Sequence, residues 1–551
     1  MSQVITPLKI FCWTAFILTN KMSVAQTWSQ IGSDLDGDSF SDKYGWSVDI
    51  SLDGTRIITG SLEDDFVATN CGYLHVLSWD GSNWNQMGNK IYGDSIYGKF
   101  SSAVAISGEG NRIAMSGNQS SLYDDSGVVR IYEWDGNDWN QIGNDISGLD
   151  TNASVGSDLA FSLDGAIIAI GTQAGDVWEY MDGVMKIYEW DGMDFNIKGQ
   201  ELFGNSQGDK FGTSVSISQD GLTVAGGAPS GEADLKGYVK VFTWSGTSWV
   251  QKGIDILGES ANDQSGCSIS MSSDGNIIAI GAHGNDAFGV DVGHCRVYEW
   301  DGSAWIQKGT DINGQASGDN FGKWLDLSSD GNTVVIGAPW NDGSGANAGQ
   351  LKVYEWNGIS WVQKGADVNG ELAGDQLGHS CAISGNGNNI IGGAYLNDAN
   401  GTSSGSARVF SCAPTIDNPS DVIACGSYVL PALTAGSYFT GSNGSGINLF
   451  AGNTISTSQT IYVYATNGTC SSENSFLVSI ESLPIVDVIN DTISCDSLIL
   501  PLLSFGEFFT GTMGSGITLS PGSVITSDQT IYVYSSNTCG FDENNFFNHI
   551  I

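Results

Sequence analysis

Acidic side chains are the residues whose spacing best suggests chemistry in this sequence. Asp and Glu number 61 against 20 Lys and Arg, for a formal net charge of −41 over 551 residues. Three stretches alternate oxygen-bearing side chains around a glycine. They are Asp34-Leu35-Asp36-Gly37-Asp38 with Asp42, Asp311-Ile312-Asn313-Gly314-Gln315 with Asp319, and Asp367-Val368-Asn369-Gly370-Glu371 with Asp375. Ca²⁺ takes six to eight oxygen ligands, so such a pattern suits it, and Ca²⁺ is the one cofactor the sequence offers. The pattern degrades elsewhere, where Lys90 and Gly98 replace the acids in one copy and Ala153 stands in another. The same Asp and Asn side chains also brace loop backbone without any metal. Both readings stand.

A second acidic series follows: Asp64-Asp65, Asp124-Asp125, Asn285-Asp286, Asn341-Asp342 and Asn397-Asp398. A solvated rim accounts for most of it. Trp178 and Trp340 lie near these acids, outside the regular tryptophan series. A tryptophan there stacks on a sugar, anchors a protein ligand or simply packs its loop. Trp178, Trp340, Asn341, Asp342, Asn397 and Asp398 therefore form the candidate ligand set, for an extracellular protein or glycan. Catalytic signals are weak. The five histidines are scattered, and no nucleophile-elbow or phosphate-loop motif occurs. No catalytic residue is assigned, and the expectation is a protein that is not an enzyme. Two carboxylates from different repeats would suffice for glycoside hydrolysis, which keeps a polysaccharide-acting enzyme as the alternative. A purely structural surface protein is the third reading. The acidic surface repels nucleic acid and anionic membrane.

Those acids are carried on a repeat of 54 to 56 residues present in seven copies between residue 28 and about 414. One aromatic series is Trp28, Trp84, Trp139, Phe195, Trp249, Trp305 and Trp361. A second is Trp79, Trp134, Trp190, Trp244, Trp300 and Trp356. A third places a bulky residue before glycine, as in Tyr44-Gly45, Phe211-Gly212, Phe321-Gly322 and Leu377-Gly378. Each unit holds four apolar-alternating stretches, the strand signal, joined by Asp-Gly or Asn-Gly turns that tolerate positive φ. In the unit at 321–364 the expected strands are Gly322 to Ser328, Thr333 to Gly337, Gln350 to Trp356, and one beginning near Trp361. Four-stranded units repeated radially make an all-β propeller, here of seven blades. The first unit begins with its fourth strand and the last has only three, so the chain ends should complete one blade and leave no open edge. The connections after strands two and four are long and share a face, which is where a binding site is expected.

With Gly227-Ala228-Pro229 and Gly337-Ala338-Pro339, the Phe-Gly pairs make residues 28–414 resemble the FG-GAP repeats of the integrin α-subunit propeller. The resemblance implies an extracellular adhesion or recognition protein. That family's calcium site lies between strands one and two. Here only short turns such as Ser329-Asp330-Gly331 stand there, so the site does not carry over.

Residues 415–484 and 485–551 form a different pair. Cys425 to Pro431 recurs as Cys495 to Pro501, and Gln459 to Tyr464 recurs as Gln529 to Tyr534. Each copy reads as a small β-sandwich. Cys470 and Cys539 close the copies at matching places, which predicts bridges Cys425–Cys470 and Cys495–Cys539. Cys71, Cys267, Cys295 and Cys381 do not recur and are expected to be small buried residues. The copies resemble Ig-like modules of bacterial surface proteins exported by type IX secretion, which usually end in a sorting domain. Ile551 falls in the last predicted strand, so either a sorting segment lies beyond it or export takes another route. Residues 1–25 read as a signal peptide, with Lys9, the apolar run Ile10 to Leu18 and a small-residue site at Ser23-Val24-Ala25. That run is too short to span a bilayer. The expected domains are 1–25 leader, 26–414 propeller, 415–484 and 485–551 Ig-like spacers, in a secreted or cell-surface protein.

Overall fold

The computed structural model describes residues 28–117, 126–148, 154–173, 183–231, 234–414, 416–467 and 470–551. The leader, Asp124, Asp125, Ala153 and Trp178 lie outside them. Every described element is a β-strand, and among the described residues no helix is long and apolar enough to cross a membrane. The chain divides into two compact units, Met1–Cys412 and Ala413–Ile551.

Among the described residues the first unit contains seven antiparallel sheets of one design. The sheet of Leu325–Leu327, Thr333–Ala338, Gln350–Trp356 and Trp361–Gln363 is representative. Its second strand is buried on both faces, with Val334, Val335 and Ile336 all at 0% exposure, which is why its apolar run is continuous. The turn before it is fixed by side chains. Ser328 Oγ donates to Asp330 Oδ1 (2.7 Å), the Asn332 amide donates to the same oxygen (3.0 Å), and Gly331 takes φ +68°. A fifth strand was not expected. Val368–Asn369 pairs onto the start of the third strand, and Leu35–Asp36 and Ile312–Asn313 do the same in their sheets. Ile312 and Val368 are buried, so these segments are strands with period-two patterning, where the sequence suggested loops.

Neighbouring sheets are joined by the repeat's own signature residues. The glycine that ends strand two packs on the carbonyl of the bulky-residue glycine in the next sheet. A Cβ on Gly281 would stand 2.0 Å from the Gly322 oxygen. Ser268 Oγ donates to that same carbonyl (2.9 Å). At the outer edge the first tryptophan series donates from Nε1 to a carbonyl of the preceding sheet, as Trp305 does to Lys252 (2.8 Å) and Trp361 to Lys308 (2.7 Å). At the short-turn end, backbone hydrogen bonds run from sheet to sheet through Leu52, Gly108, Leu163, Gln219, Ser273, Ser329 and Gly385, and the Gly385 amide returns to Leu52 O at 2.8 Å.

All three links recur where the chain ends meet. Ser29–Gln30 pairs with Ser411 and Phe410. Trp28 Nε1 donates to Lys364 O (2.8 Å), and Ser380 Oγ donates to Gly45 O (2.9 Å). The repeated four-strand sheets and these links are consistent with a β-propeller.

In the second unit, each copy has a five-stranded sheet accompanied by a two-stranded one. The predicted disulfides do not form. Cys425 pairs with Cys539, Cys470 is disulfide-bonded elsewhere, and Cys495 is free and exposed. Topology explains the correction. The strand Val422–Cys425 runs parallel to Cys470–Glu481 and places Cys425 opposite Glu481. Cys470 stands at the far end of that strand, about 36 Å away at ~3.3 Å per residue and out of disulfide reach. Cys539 lies instead at the tip of the second copy's hairpin, which meets the first copy at Glu481 and Ser482 through Thr538 Oγ1 (2.5 Å) and Asn537 Nδ2 (2.9 Å). The four cysteines Cys71, Cys267, Cys295 and Cys381 are unpaired, and all but the half-buried Cys267 are buried.

Candidate functional site

The first strands of all seven sheets line one cavity of about 680 Å³. That lies within the ~300–1,000 Å³ of ordinary small-ligand sites. At the short-turn end the tied turns narrow it, and Gln219 Nε2 reaches across to Ser329 Oγ (3.1 Å). The opposite end opens among the connections that follow strand two. There the residue after each bulky-residue glycine faces the cavity: Trp46, Ser102, Ser157, Thr213, Cys267, Lys323 and His379. One repeat position thus becomes a ring of seven different surroundings for a ligand.

One side of this ring is aromatic. His379 packs between Trp46 (4.5 Å), Trp324 (4.2 Å) and Tyr395 (4.2 Å), and Trp46 meets Tyr395 edge-on at 5.0 Å. Lys323 sets its ammonium over Trp324 (5.4 Å) and Trp340 (5.7 Å). Burial holds His379 down at about 4, with the Lys323 charge acting in the same direction. Burial and Lys323 likewise hold His283 at about 3, and its buried Nδ1 has no hydrogen-bond partner. Both imidazoles are therefore neutral near pH 7.

Below the mouth are three carboxylates that sequence reasoning missed. Asp49 and Asp158 are raised to about 7 and Asp326 is raised, in each case chiefly by burial. Each side chain touches cavity space yet is enclosed by dense protein, so the desolvation is real despite the partial surface exposure. Each also ties two sheets together. Asp49 accepts the Ile50 (2.8 Å) and Ile106 (2.9 Å) amides, Asp158 those of Leu159 (3.0 Å) and Val215 (2.7 Å). Asp326 accepts Leu327 (2.8 Å), Ile383 (2.8 Å) and Ser270 Oγ (2.7 Å). The signal was present in the sequence as a charged residue inside an apolar strand, in Val48-Asp49-Ile50 and Leu325-Asp326-Leu327.

The predicted residues stand elsewhere. Of the ligand set, Trp340 reaches the mouth through Lys323. Asn341 is buried, donating to Asp319 Oδ2 (2.9 Å) while accepting the Gly343 amide. Asn397 does the same one repeat later with Asp375 (3.2 Å) and Ala399. Asp342 and Asp398 accept the amides of Asn347 and Ser403, so these four side chains brace their loops.

Most of the expected calcium ligands already carry partners, whereas the buried Oδ1 atoms of Asp36 and Asn313 have none. Asp311 makes a two-point ion pair with Arg296 (2.9 and 3.0 Å), and Asp367 pairs with Lys352 (3.0 Å). Glu371 meets Arg408 (3.3 Å), Asp38 meets Lys90 (2.5 Å), and Asp34 accepts Gln30 (2.6 Å). Asp42 caps Ser39, Asn369 accepts Gln350, and Asp36 and Asn313 lie in the short fifth strands. Glu259, His294 and Asp311 come within metal-binding distance of one another, but Arg296 pairs with both acids and supplies the positive charge there.

Residues 312–354 match the family model of the FG-GAP repeat, a span that begins at one short fifth strand and ends within the next sheet's third strand. No curated protein matches the chain significantly.

Proposed function

We propose that this chain is an exported adhesion or recognition protein, built as a closed seven-bladed propeller whose channel mouth on the long-loop face binds the ligand. The observation that carries this is the cavity itself. Its mouth is an aromatic and polar ring made from one variable position of an otherwise regular repeat, while its interior carboxylates are committed to backbone amides. Asp49, Asp158 and Asp326 hold sheets together and have no free acid–base pair to offer, which disfavours the glycosidase reading. The C-terminal copies act as Ig-like spacers, and the disulfide Cys425–Cys539 suits an oxidising, extracellular location. The match to the FG-GAP repeat supports the same setting.

A glycan array run beside a hydrolysis screen tests the proposal. Saturable binding without turnover is expected. Turnover lost in Asp326→Asn, with the fold intact by circular dichroism, would instead establish the enzyme. Adding Ca²⁺ or chelator to the binding assay tests the metal expectation, since a calcium-dependent loop on this face would change affinity.

A further inference from the structure

We infer that the channel mouth is a site for an anionic sugar, a glycan end bearing a carboxylate, held by Lys323 and Lys210 against the aromatic ring. This rests on the recognition reading above and names its ligand class. In a chain with so large an excess of acids, most lysines find a carboxylate, and Lys240, Lys252 and Lys308 bond neutral oxygens instead. Among the described residues every lysine but two has an oxygen partner at its ammonium. The two exceptions are Lys210 and Lys323, and both line this cavity.

Lys323 is half-buried, with two indole faces and two neutral imidazoles as neighbours and no carboxylate paired with it. An ammonium lacking a counter-ion in that setting has its strongest available interaction still unmade, because a charge-assisted hydrogen bond is stronger than one between neutral groups. The unpartnered, buried Nδ1 of His283, close enough to feel the Lys323 charge, adds a second open polar position.

The surrounding surface decides what kind of anion fits. The formal charge of −41 repels a polyanion laid across the face, whereas charges beyond ~8 Å are largely screened at physiological ionic strength. A single acidic residue inserted end-on avoids that repulsion. Trp46 and Trp324, which line the cavity with Tyr395 packed against Trp46, supply π faces for the apolar side of a pyranose ring. The cavity volume is that of an ordinary small-ligand site and accommodates a short glycan end.

The test is calorimetric titration of the full chain with trisaccharides ending in glucuronate, galacturonate or sialic acid, each against a counterpart ending in a neutral hexose. At least one acidic ligand should bind tenfold or more tightly than its neutral counterpart. Lys323→Gln should remove that preference with the melting temperature unchanged. Lys210→Gln should reduce it by a smaller factor, and Lys236→Gln, whose ammonium already pairs with Asp234, should have no effect. Equal affinity for acidic and neutral ligands, or no binding by any of them, overturns the inference. Equal affinity that is lost in Tyr395→Ala would do so while leaving the recognition function standing.

Discussion

The two units of this chain solve the problem of a repeat's exposed end in different ways. In the first, neighbouring sheets are tied by recurring links, and the first and last segments meet through three bonds of the same kinds. Trp28 to Lys364, Ser380 to Gly45 and Gly385 to Leu52 are the repeat's ordinary bonds carried across the chain ends. Cys71, Cys267, Cys295 and Cys381 remain unpaired within it. The second unit has two copies with small cores, such as Leu500, Phe508, Ile525, Ile531, Val533 and Phe546, and each copy has one partner of its own kind. There a disulfide joins one copy to the other. A ring gains stability by closing, whereas a short linear array gains it from covalent staples.

The comparison breaks most decisively at the ring's seam. In Gly393→Val, the Cβ would stand 1.9 Å from the Gly45 carbonyl oxygen, a backbone atom that cannot swing aside. A loss of more than about 3 kcal/mol is expected from urea denaturation of the first unit, with the second unit's transition unchanged. Removing the staple by Cys425→Ser with Cys539→Ser should cost about 2–4 kcal/mol in the second unit alone, resolved as one shifted transition by calorimetry. In the native protein Cys495 should be the one thiol that reacts without denaturant, since it alone among the described free cysteines is exposed.

A smaller effect follows from the channel carboxylates. Asp49 and Asp158 have folded values near 7, above the ordinary aspartate value of 3.8. The folded state therefore holds protons that the unfolded chain releases. The first unit should lose stability as pH rises from about 4 to 7 and level off above that. The effect is on the order of 1 kcal/mol per carboxyl once the water in the channel is allowed for. The second unit should lack this slope, and Asp49→Asn should reduce it in the first, leaving the share of Asp158. The smallest change is Trp249→Phe, which loses the indole bond to Lys198 O (2.7 Å) but keeps the packing. About 1 kcal/mol is expected by urea denaturation. Phe195 occupies the equivalent place in the neighbouring sheet, so the ring already tolerates one such loss.

Much of the sheet design was legible because period and strand position are local. Gln350–Trp356 forms as the alternation predicted, and the aromatic series marks the hydrogen bonds between sheets. At Asp311-Ile312-Asn313 the sequence satisfies two patterns at once, and the structure shows a short strand where a loop was expected. Metal loops and edge strands both alternate polar residues, and only the burial of Ile312 separates them. Disulfide pairing was not legible, since it depends on which hairpin tip reaches which strand end. The cavity was half legible. Trp46, Lys323 and His379 follow the marker glycines of their repeats, and unlike side chains in one otherwise regular slot are what a binding surface leaves in a repeat sequence.

The most direct test of the account is calorimetric titration of the strongest array ligand into the native chain and into Trp46→Ala and Tyr395→Ala. Affinity should fall at least tenfold in both variants, with unchanged secondary structure and no turnover in any of the three proteins. Undiminished affinity in both variants would place the ligand elsewhere and contradict the assignment of the channel mouth.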